Sequence, residues 1–398
     1  LLAPEVPLSG VVANILAAPA APVATIVGMI ACLLAPVIPP LATLVAAIAW
    51  VPSAWIAGVA RVSSGVPGAL LPWPEGAVGA LLLTGVTALG LLAVGVPARW
   101  GSAQLRRRLA AGLAATLVVI MGATAGVAAL RALGRPADWV IAQCDVGQGD
   151  AVLVRSGGEV ALIDTGAEPD LLRTCLSTLG VERIDLLVLT HFDLDHVGAV
   201  EVVTGRVDRA IIGPTGRGSD EAVVAALLAG GARVDTVADG EAGRLGDCAW
   251  RVLWPPAHRG VEPGNDASLV LAWAGARSAG DAATACPRLL ALGDLGEQAQ
   301  RMLLGAYDLG AVEVVKVSHH GSPDQHPELY RQVAASVALI GVGAENGYGH
   351  PAPDLIAELE SLGSVIGRSD EHGLVLVSVN EGALRLWRER LSTVGAEN

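Results

Sequence analysis

Uncharged apolar runs before residue 131 constrain the fold of this chain more than any other feature. Residues 109–130 (LAAGLAATLVVIMGATAGVAAL) form a run of 22 residues without a charged side chain, which is long enough to cross a bilayer as a helix. Similar runs occupy residues 78–96, 41–60 and 11–38. Because these runs lack a polar face, they predict transmembrane helices rather than a soluble helical bundle. The chain begins without Met and enters apolar sequence almost at once, so we expect earlier sequence to precede it.

Arginines between the last two runs predict the orientation of the chain. The connection 97–108 contains four arginines, whereas the connection 61–77 contains one arginine and one glutamate. Short arginine-rich loops stay on the cytoplasmic side of a membrane. We therefore expect the run 109–130 to lead outward, so that the linker 131–138 and the rest of the chain lie outside the cytoplasm in a multi-pass arrangement.

The sequence changes character at residue 139. The net charge is +4 before this residue and −17 from it onward, which argues against a broad nucleic-acid-binding surface but not against a phosphate site bridged by metal ions. Short Val-, Leu- and Ile-rich runs follow one another and then alternate with helical stretches, which predicts a layered α+β domain over residues 139–390. We expect strands at 139–145, 150–155, 159–163, 185–190, 209–212, 249–253, 268–273, 288–292, 313–317, 336–340 and 373–379 and helices at 168–179, 196–204, 219–230, 296–305, 326–334 and 353–362.

The five cysteines are scattered along the chain and include no C-x-x-C pair. This excludes a zinc knuckle and a dithiol redox motif of the usual spacing. An odd number cannot pair fully within one chain, so we expect most of the cysteines to be buried small apolar residues.

Residues 190–198 (THFDLDHVG) hold a dense group of potential metal ligands. His191, Asp193, Asp195 and His196 fall within six positions, between an apolar strand and a helix, where ligands gather in α/β sheets. A polar turn with helix-capping aspartates is the ordinary alternative, but it does not account for two histidines. The spacing lets the first two side chains face one side of a tight loop and the last two face the other, which suits two adjacent metal ions.

Further Asp and His residues follow apolar strands elsewhere. Asp164 follows one predicted strand, Asp294 another, and His319 and His320 a third, while His350 lies in ENGYGHP. Taken singly, an aspartate after a strand is usually a turn residue. Their recurrence predicts one metal site that is assembled from several strand ends.

Together these motifs resemble a known family. The segments CDVGQGDAVLV, ALIDTG, THFDLDHVG, NDASLVL, LALGDLG, VKVSHHGS and ENGYGHP, in this order, are similar to the hydrolase-like part of ComEC-type competence proteins, in the metallo-β-lactamase superfamily. The similarity covers about residues 139–380. It implies an αββα sandwich preceded by transmembrane helices, a plasma-membrane location and a role in DNA uptake during natural transformation. Residues 1–130 would be the C-terminal part of the transmembrane domain that forms the DNA channel. Residues 139–390 would degrade the DNA strand that is not imported.

The resemblance also implies roles for individual residues. Positions that match the superfamily's metal ligands, or lie among them, are His191, Asp193, Asp195, His196, Asp294 and one of His319 and His320, with His319 preferred because it lies at the strand end. Positions that match residues beside the ligands or near the substrate are Gln148, Asp150, Asp164, Asn265, Ser268, Asn346 and His350. In hydrolysis of a phosphodiester by two metal ions, Asp195 would also orient the attacking water. His350 or His320 would protonate the leaving oxygen or bind the phosphate. Lys316, the only lysine, is either a phosphate contact or an edge-strand or surface residue.

Two departures from the superfamily pattern concern the metal. Asp193 stands where many members have histidine, and the histidine usually found before the bridging aspartate has no clear counterpart, since His258 fits poorly. Fewer nitrogen ligands and more oxygen ligands shift the preference from Zn²⁺ toward Mn²⁺ or Mg²⁺. We therefore expect two divalent ions, Mn²⁺ or Zn²⁺ with Mg²⁺ as a further candidate, one of them loosely held.

Three functions fit the sequence. The first is a membrane-anchored, metal-dependent phosphodiesterase or nuclease, for which two-metal chemistry is well suited. The second is a degenerate metal domain that guides single-stranded DNA without cleaving it, and the third is a tethered hydrolase of another phosphoester. The candidate partners are DNA, the lipid bilayer, other competence proteins and a second copy of the chain. We expect no base-specific recognition, because the few aromatic residues of the second half are dispersed.

Overall fold

The computed structural model describes residues 5–7, 9–64, 70–73, 76–95, 103–258, 260–275, 286–380 and 382–390. Its internal contacts divide the chain into two compact units, Leu1–Gly134 and Arg135–Asn398. The assignment of these units to a channel and a hydrolase remains a prediction.

The first unit is mainly helical. Two short strands pair in antiparallel fashion, β1 (Glu5–Pro7) and β2 (Leu70–Pro72). The helices are α1 (Gly10–Ala17), α2 (Ala20–Leu34), α3 (Pro39–Ser64), α4 (Gly76–Gly95) and α5 (Ala103–Leu133). Each apolar run of the sequence therefore falls largely within helical structure.

One helical segment among the described residues, Pro39–Ser63, is long and apolar enough to cross a membrane, and shorter apolar segments lie at Ala20–Leu34 and Gly79–Ala88. The additional spans expected from the sequence thus remain predictions. Residues 97–102 and several side chains of the run 109–130 lie outside the described part of the chain.

The second unit contains two sheets. Its strands are β3 (Trp139–Gln143), β4 (Val152–Ser156), β5 (Glu159–Ile163), β6 (Ile184–Leu189), β7 (Val207–Ile212), β8 (Arg233–Thr236), β9 (Ala242–Leu245), β10 (Cys248–Trp254), β11 (Val270–Gly275), β12 (Leu289–Ala291), β13 (Val314–Lys316), β14 (Val337–Ile340), β15 (Val365–Arg368), β16 (Val375–Asn380) and β17 (Ala383–Arg388). One sheet has the order β17-β16-β3-β4-β5-β6-β7-β8, and the other has the order β15-β14-β13-β12-β11-β10-β9. The helices are α6 (Pro169–Leu179), α7 (Leu194–Val197), α8 (Gly218–Ala229), α9 (Glu297–Ala306), α10 (Pro327–Val333), α11 (Pro353–Ser361) and α12 (Ser369–His372).

Strand β6 shows why the sheets lie between helical layers. Its sequence, IDLLVL, is almost entirely apolar, as expected of a strand that is buried on both faces. Because successive side chains point to opposite faces, Leu187 and Leu189 pack with Leu172 of α6, whereas Leu186 and Val188 pack into the core between the two sheets. A third apolar cluster covers the outer face of the second sheet with α9, α10 and α11. The unit is therefore an αββα sandwich, which confirms the predicted α+β metallo-β-lactamase fold.

The sequence did not predict β1 and β2 of the first unit. In the second unit it did not predict β8, β9, β15 and β17, and these are the four edges of the two sheets. Edge strands are partly solvated, so they lack the apolar runs that mark interior strands. The predicted helix 196–204 is also wrong in extent, because α7 ends at Val197 and a short 3₁₀ turn follows at Val200–Val202.

The expectation about the cysteines requires correction. Four of them are buried as expected, but they form two disulfides, Cys144–Cys175 and Cys248–Cys286, with Cα separations of 5.9 and 5.6 Å. Cys32 is a free, exposed thiol. The partners are 31 and 38 residues apart, so only the folded chain reveals the pairing.

Candidate metal centre

Parallel strands bring the predicted ligands to one edge of the two sheets. Asp164 directly follows β5, His191 lies two residues after β6, and these strands are parallel neighbours. In the other sheet Asp294 and His320 follow β12 and β13, which are also parallel neighbours. Since the carboxyl ends of parallel strands meet at the same edge, residues far apart in sequence come together there.

Four buried side chains form what we call the central cluster: Asp150, His196, Asp294 and His320. Each offers one ligand atom, and these atoms all lie within 4.8 Å of one another. Nε2 of His196 and Nε2 of His320 both lie 3.3 Å from Oδ2 of Asp294. Asp195 adjoins the cluster, with Oδ2 3.1 Å from Nε2 of His320, and its side chain is 31% exposed.

Hydrogen bonds fix the direction in which the two cluster histidines point. Nδ1 of His196 lies 2.9 Å from Oδ2 of Asp164, and Asp164 also accepts hydrogen bonds from the amide and hydroxyl of Thr190 at 2.8 and 2.7 Å. Nδ1 of His320 donates to the carbonyl oxygen of Gly341 at 2.8 Å. Both rings therefore present Nε2 to the cluster, an arrangement typical of metal-binding histidines.

Several buried polar atoms at this site have no hydrogen-bond partner among the described residues. They include Nε2 of His191, Nε2 of His196 and Oδ1 of Asp294. Buried polar atoms in folded proteins almost always have a partner, and a divalent cation would satisfy imidazole nitrogens and a carboxylate oxygen together. The donor set thus fits a metal ion.

The electrostatics of the site also favour a cation. Burial acts to raise the pKa of Asp294, but His196 and His320 outweigh it and hold that pKa well below its usual value. Burial acts to lower the pKa of both histidines, but the carboxylates led by Asp294 raise it well above the usual value. Burial also acts to raise the pKa of Asp195, but a hydrogen bond from His320 and the charges of the two histidines lower this pKa to about 2. The carboxylates therefore stabilise positive charge at this point.

The structure places His319 and His320 differently from what the sequence led us to expect. His320, first placed in catalysis, lies in the central cluster, whereas His319, the preferred ligand, lies at its rim. Nε2 of His319 is 3.8 Å from Oδ2 of Asp294 and 3.3 Å from Nδ2 of Asn265, and its side chain is 28% exposed. His350 lies farther out, with its ring centroid 5.7 Å from that of His319.

Lys316 is neither a surface residue nor part of an edge strand. It ends the interior strand β13 and is 2% exposed. Its ammonium group forms an ion pair with Asp150 and lies 4.0 Å from Oδ1 of Asp294. Burial acts to raise the pKa of Asp150, but Lys316 and His320 more than offset this effect. The pKa of the Asp150 carboxyl therefore lies below its usual value. Lys316 therefore balances the charge of the cluster.

Asp193 engages Arg217, which none of the sequence motifs singles out. Its Oδ2 is 3.7 Å from Nε2 of His191, but its Oδ1 accepts a 2.8 Å hydrogen bond from Arg217, which also donates to the carbonyl oxygen of Phe192 at 3.0 Å. The guanidinium group competes with a cation for Asp193. His258 does not join His191 and Asp193, because it is exposed on a turn.

The remaining predicted residues hold the walls of the site in place. The amide of Asp294 donates to Oγ of Ser268 at 3.1 Å. Gln148 accepts a hydrogen bond from the amide of Gly343 at 3.2 Å. Gly149 lies very close to residues 190–198, which we call the ligand loop. A Cβ at Gly149 would lie 2.2 Å from the carbonyl oxygen of Asp195. Glycine is therefore required at this position.

Asn346 closes the loop that carries His350. Its amide group donates to the carbonyl oxygens of Gly343 and His350 at 2.8 and 3.0 Å. Its Oδ1 accepts from the amide of His350 at 3.1 Å. Asn346 thus acts on the shape of the loop, in which His350 reaches the rim of the site.

Comparisons with known proteins agree with the motifs. Residues 144–218 match the model of the metallo-β-lactamase superfamily. The chain is 29% identical over 257 residues to ComE operon protein 3 of Bacillus subtilis (strain 168), covering 58% of this chain and 32% of that protein. It is 27% identical over 252 residues to Competence protein ComA of Neisseria gonorrhoeae, covering 62% and 33%. The resemblance to competence proteins is thereby confirmed, although the chain spans only about a third of the length of these curated relatives.

Solved structures with a related chain trace are more distant. The diiron β-hydroxylase CmlA from Streptomyces venezuelae has 15% identity and a TM-score of 0.42, covering 64% of this chain and 55% of that one. The metallo-β-lactamase fold protein YhfI from Bacillus subtilis has 10% identity and a TM-score of 0.38, covering 62% and 99%.

Proposed function

We propose that this chain takes part in DNA uptake and that its second unit is a metal-dependent phosphodiesterase acting on DNA outside the cytoplasm. The observation that carries the proposal is the central cluster, in which buried, partnerless nitrogen and oxygen atoms from both sheets converge on one point. The likeness to competence proteins supplies the substrate class. A metallo-β-lactamase-type site supplies the reaction class, hydrolysis.

The proposed centre has two cation positions, of which one is more complete than the other. His196, Asp294 and His320, with Asp195 beside them, provide the fuller set of ligands. His191 and Asp193 form the second position, where Arg217 shares the carboxylate. When bound, divalent cations there stabilise charge on the phosphate oxygens and lower the pKa of the attacking water. Manganese fits this mixture of imidazole and carboxylate ligands, and zinc is the alternative.

The protein's own groups then position the reaction. Asp195 is ionised at neutral pH, since its pKa is about 2, and it is the most exposed of the carboxylates that contact the cluster histidines. Its free oxygen can accept a hydrogen bond from the attacking water and orient it toward phosphorus. His319 lies at the rim, where it can donate a proton to the leaving oxygen. Asp164 keeps His196 in the required tautomer through its hydrogen bond to Nδ1.

Two observations support the proposed membrane location and the placement of the second unit outside the cytoplasm. The first unit exposes many large apolar side chains, among them Leu33, Val37, Leu44 and Trp50, which suits a lipid surroundings better than water. The second unit contains two disulfides, and disulfides persist mainly in oxidising compartments. The disulfides agree with the orientation that the arginines predict, whereas the apolar surface supports the membrane location alone.

A non-cleaving guide for single-stranded DNA is the second candidate function. The specific observation in its favour is the incomplete second position, where Arg217 binds Asp193 through a 2.8 Å hydrogen bond. If only one cation binds and the site cannot activate water, the unit would hold DNA without breaking it.

A cleavage assay with the full chain in detergent distinguishes these functions. We expect cleavage of a labelled oligonucleotide with Mn²⁺, and loss of at least about a hundredfold in rate for Asp195→Asn. Asp354→Asn, at an exposed position in the first turn of α11, is the matched control and should cleave normally. DNA binding without cleavage in Mn²⁺, Mg²⁺ and Zn²⁺ would favour the guide, and cleavage that persists in Asp195→Asn would refute the assignment of the site.

A further inference from the structure

An exposed aromatic side chain lies next to the candidate centre. Tyr348 is 75% exposed and is the one aromatic among the large exposed apolar side chains described in the second unit. It is flanked by Gly347 and Gly349, and a Cβ at either glycine would meet no atom within 4 Å. The ring is therefore open to approach by a flat ligand.

A row of rings connects Tyr348 to the central cluster. The centroid of Tyr348 lies 5.7 Å from that of His350, with the planes inclined by 30°. His350 lies 5.7 Å from His319, and His319 lies 6.1 Å from His320 of the cluster. Each ring contacts the next, so the exposed tyrosine has a fixed relation to the centre.

The loop that carries Tyr348 is held at both ends. Asn346 forms three hydrogen bonds to Gly343 and His350, and the amide of Gly343 donates to Gln148 beside the cluster. A loop fixed in this way presents its exposed ring without further ordering, which lowers the entropic cost of binding.

The geometry points to Tyr348 as a stacking platform for one unpaired nucleobase beside the scissile phosphate. This inference rests on the proposed function and specifies its substrate as single-stranded DNA. Aromatic side chains stack on any base, because every base offers a flat face, but bases inside a duplex are covered by their neighbours. The platform therefore selects for unpaired strands without selecting for sequence.

The charge of the domain explains why such a platform is needed. Residues from 139 onward have a net charge of −17, so long-range electrostatics oppose the approach of a DNA strand. Stacking does not depend on charge. Leu194, which lies between two acidic residues of the ligand loop and is 73% exposed, adds a second apolar surface at the site.

Fluorescence of 2-aminopurine tests this inference independently of cleavage. The full chain carrying Asp195→Asn, in detergent with Mn²⁺, is titrated with single-stranded oligonucleotides that contain one 2-aminopurine. We expect quenching on binding, which Tyr348→Phe retains and Tyr348→Ala loses. The dissociation constant for single strands should rise by about five- to a hundredfold in Tyr348→Ala. An oligonucleotide that lacks the stacked base should bind the chain with intact Tyr348 more weakly by a similar factor.

The outcomes separate this inference from the proposed function. Unchanged quenching and affinity in Tyr348→Ala would overturn the platform even if the chain with Asp195 intact cleaves DNA. Quenching that depends on Tyr348 in a chain that never cleaves DNA would support the platform and count against the hydrolase. A duplex bound as tightly as a single strand would also overturn the inference.

Discussion

Replacement of Lys316 by methionine tests whether the core of the site depends on an internal ion pair. Methionine keeps the length and most of the volume of the lysine side chain but removes its charge. Lys316 and Asp150 are 3% and 2% exposed in their side chains, and Lys316 ends an interior strand. In the variant, the carboxylate of Asp150 loses the partner that offsets its burial.

The size of the effect follows from this burial. Removing one partner of a buried ion pair costs about 3–5 kcal/mol, because the other charge stays buried without compensation. For a unit of this size that corresponds to a decrease of about 6–20 °C in the melting temperature. The double variant Lys316→Met/Asp150→Asn removes both charges and should recover at least about 2 kcal/mol of the loss.

The measurement is urea denaturation of the unit Arg135–Asn398 with intact disulfides and in the presence of a chelator, which keeps metal affinity out of the comparison. Arg301→Met is the matched control, because Arg301 pairs with Glu297 in an exposed ion pair; its free energy of unfolding should change by less than about 0.5 kcal/mol. The deficit of Lys316→Met should also shrink as the pH falls, since protonation neutralises Asp150. A loss no greater than that of the control, or a double variant as unstable as the single one, would refute the reasoning.

Three further predictions concern the metal and the pH dependence. Asp164→Asn should weaken Mn²⁺ binding by about 10- to 100-fold, measured by isothermal titration calorimetry, because His196 loses its anionic partner; unchanged affinity would show that Asp164 does not orient the ligand. Arg217→Gln should tighten binding of a second Mn²⁺ per chain, counted by equilibrium dialysis with elemental analysis, and an unchanged ratio would contradict the competition for Asp193. Burial and Arg388 lower the pKa of His372 to about 4, so the unfolded chain binds a proton below about pH 6.5 and the folded chain does not. Stability should therefore fall from pH 6.5 to 4, and less steeply in His372→Asn; equal slopes in chemical denaturation would count against this.

The interior of the fold could be predicted from the sequence because burial on both faces leaves a readable pattern. Strand β6 and its neighbours β5 and β7 are largely apolar, and each was expected near its observed position. The edge strands were missed because solvation on one side allows polar residues, as in the RVDT of β8. Their pairing depends on a sheet that is already formed.

The sequence likewise predicts some features of the candidate site and not others. The residue types and spacing of His191, Asp195 and His196 indicate metal chemistry without any structure. The choice between His319 and His320 could not be made, since it depends on consecutive positive φ angles of 47° and 53° and on the carbonyl oxygen of Gly341. The pairing of Lys316 with Asp150 joins two sheets across more than 160 residues of sequence, and no local pattern encodes it.

Calorimetric titration of Mn²⁺ into the full chain in detergent tests the central claim most directly, by comparing His320→Ala with His319→Ala. We expect His320→Ala to abolish the tight binding event, because it removes a buried ligand of the central cluster, whereas His319→Ala should change the affinity by less than about tenfold. Tight binding that survives in His320→Ala, or disappears in His319→Ala alone, would contradict the account.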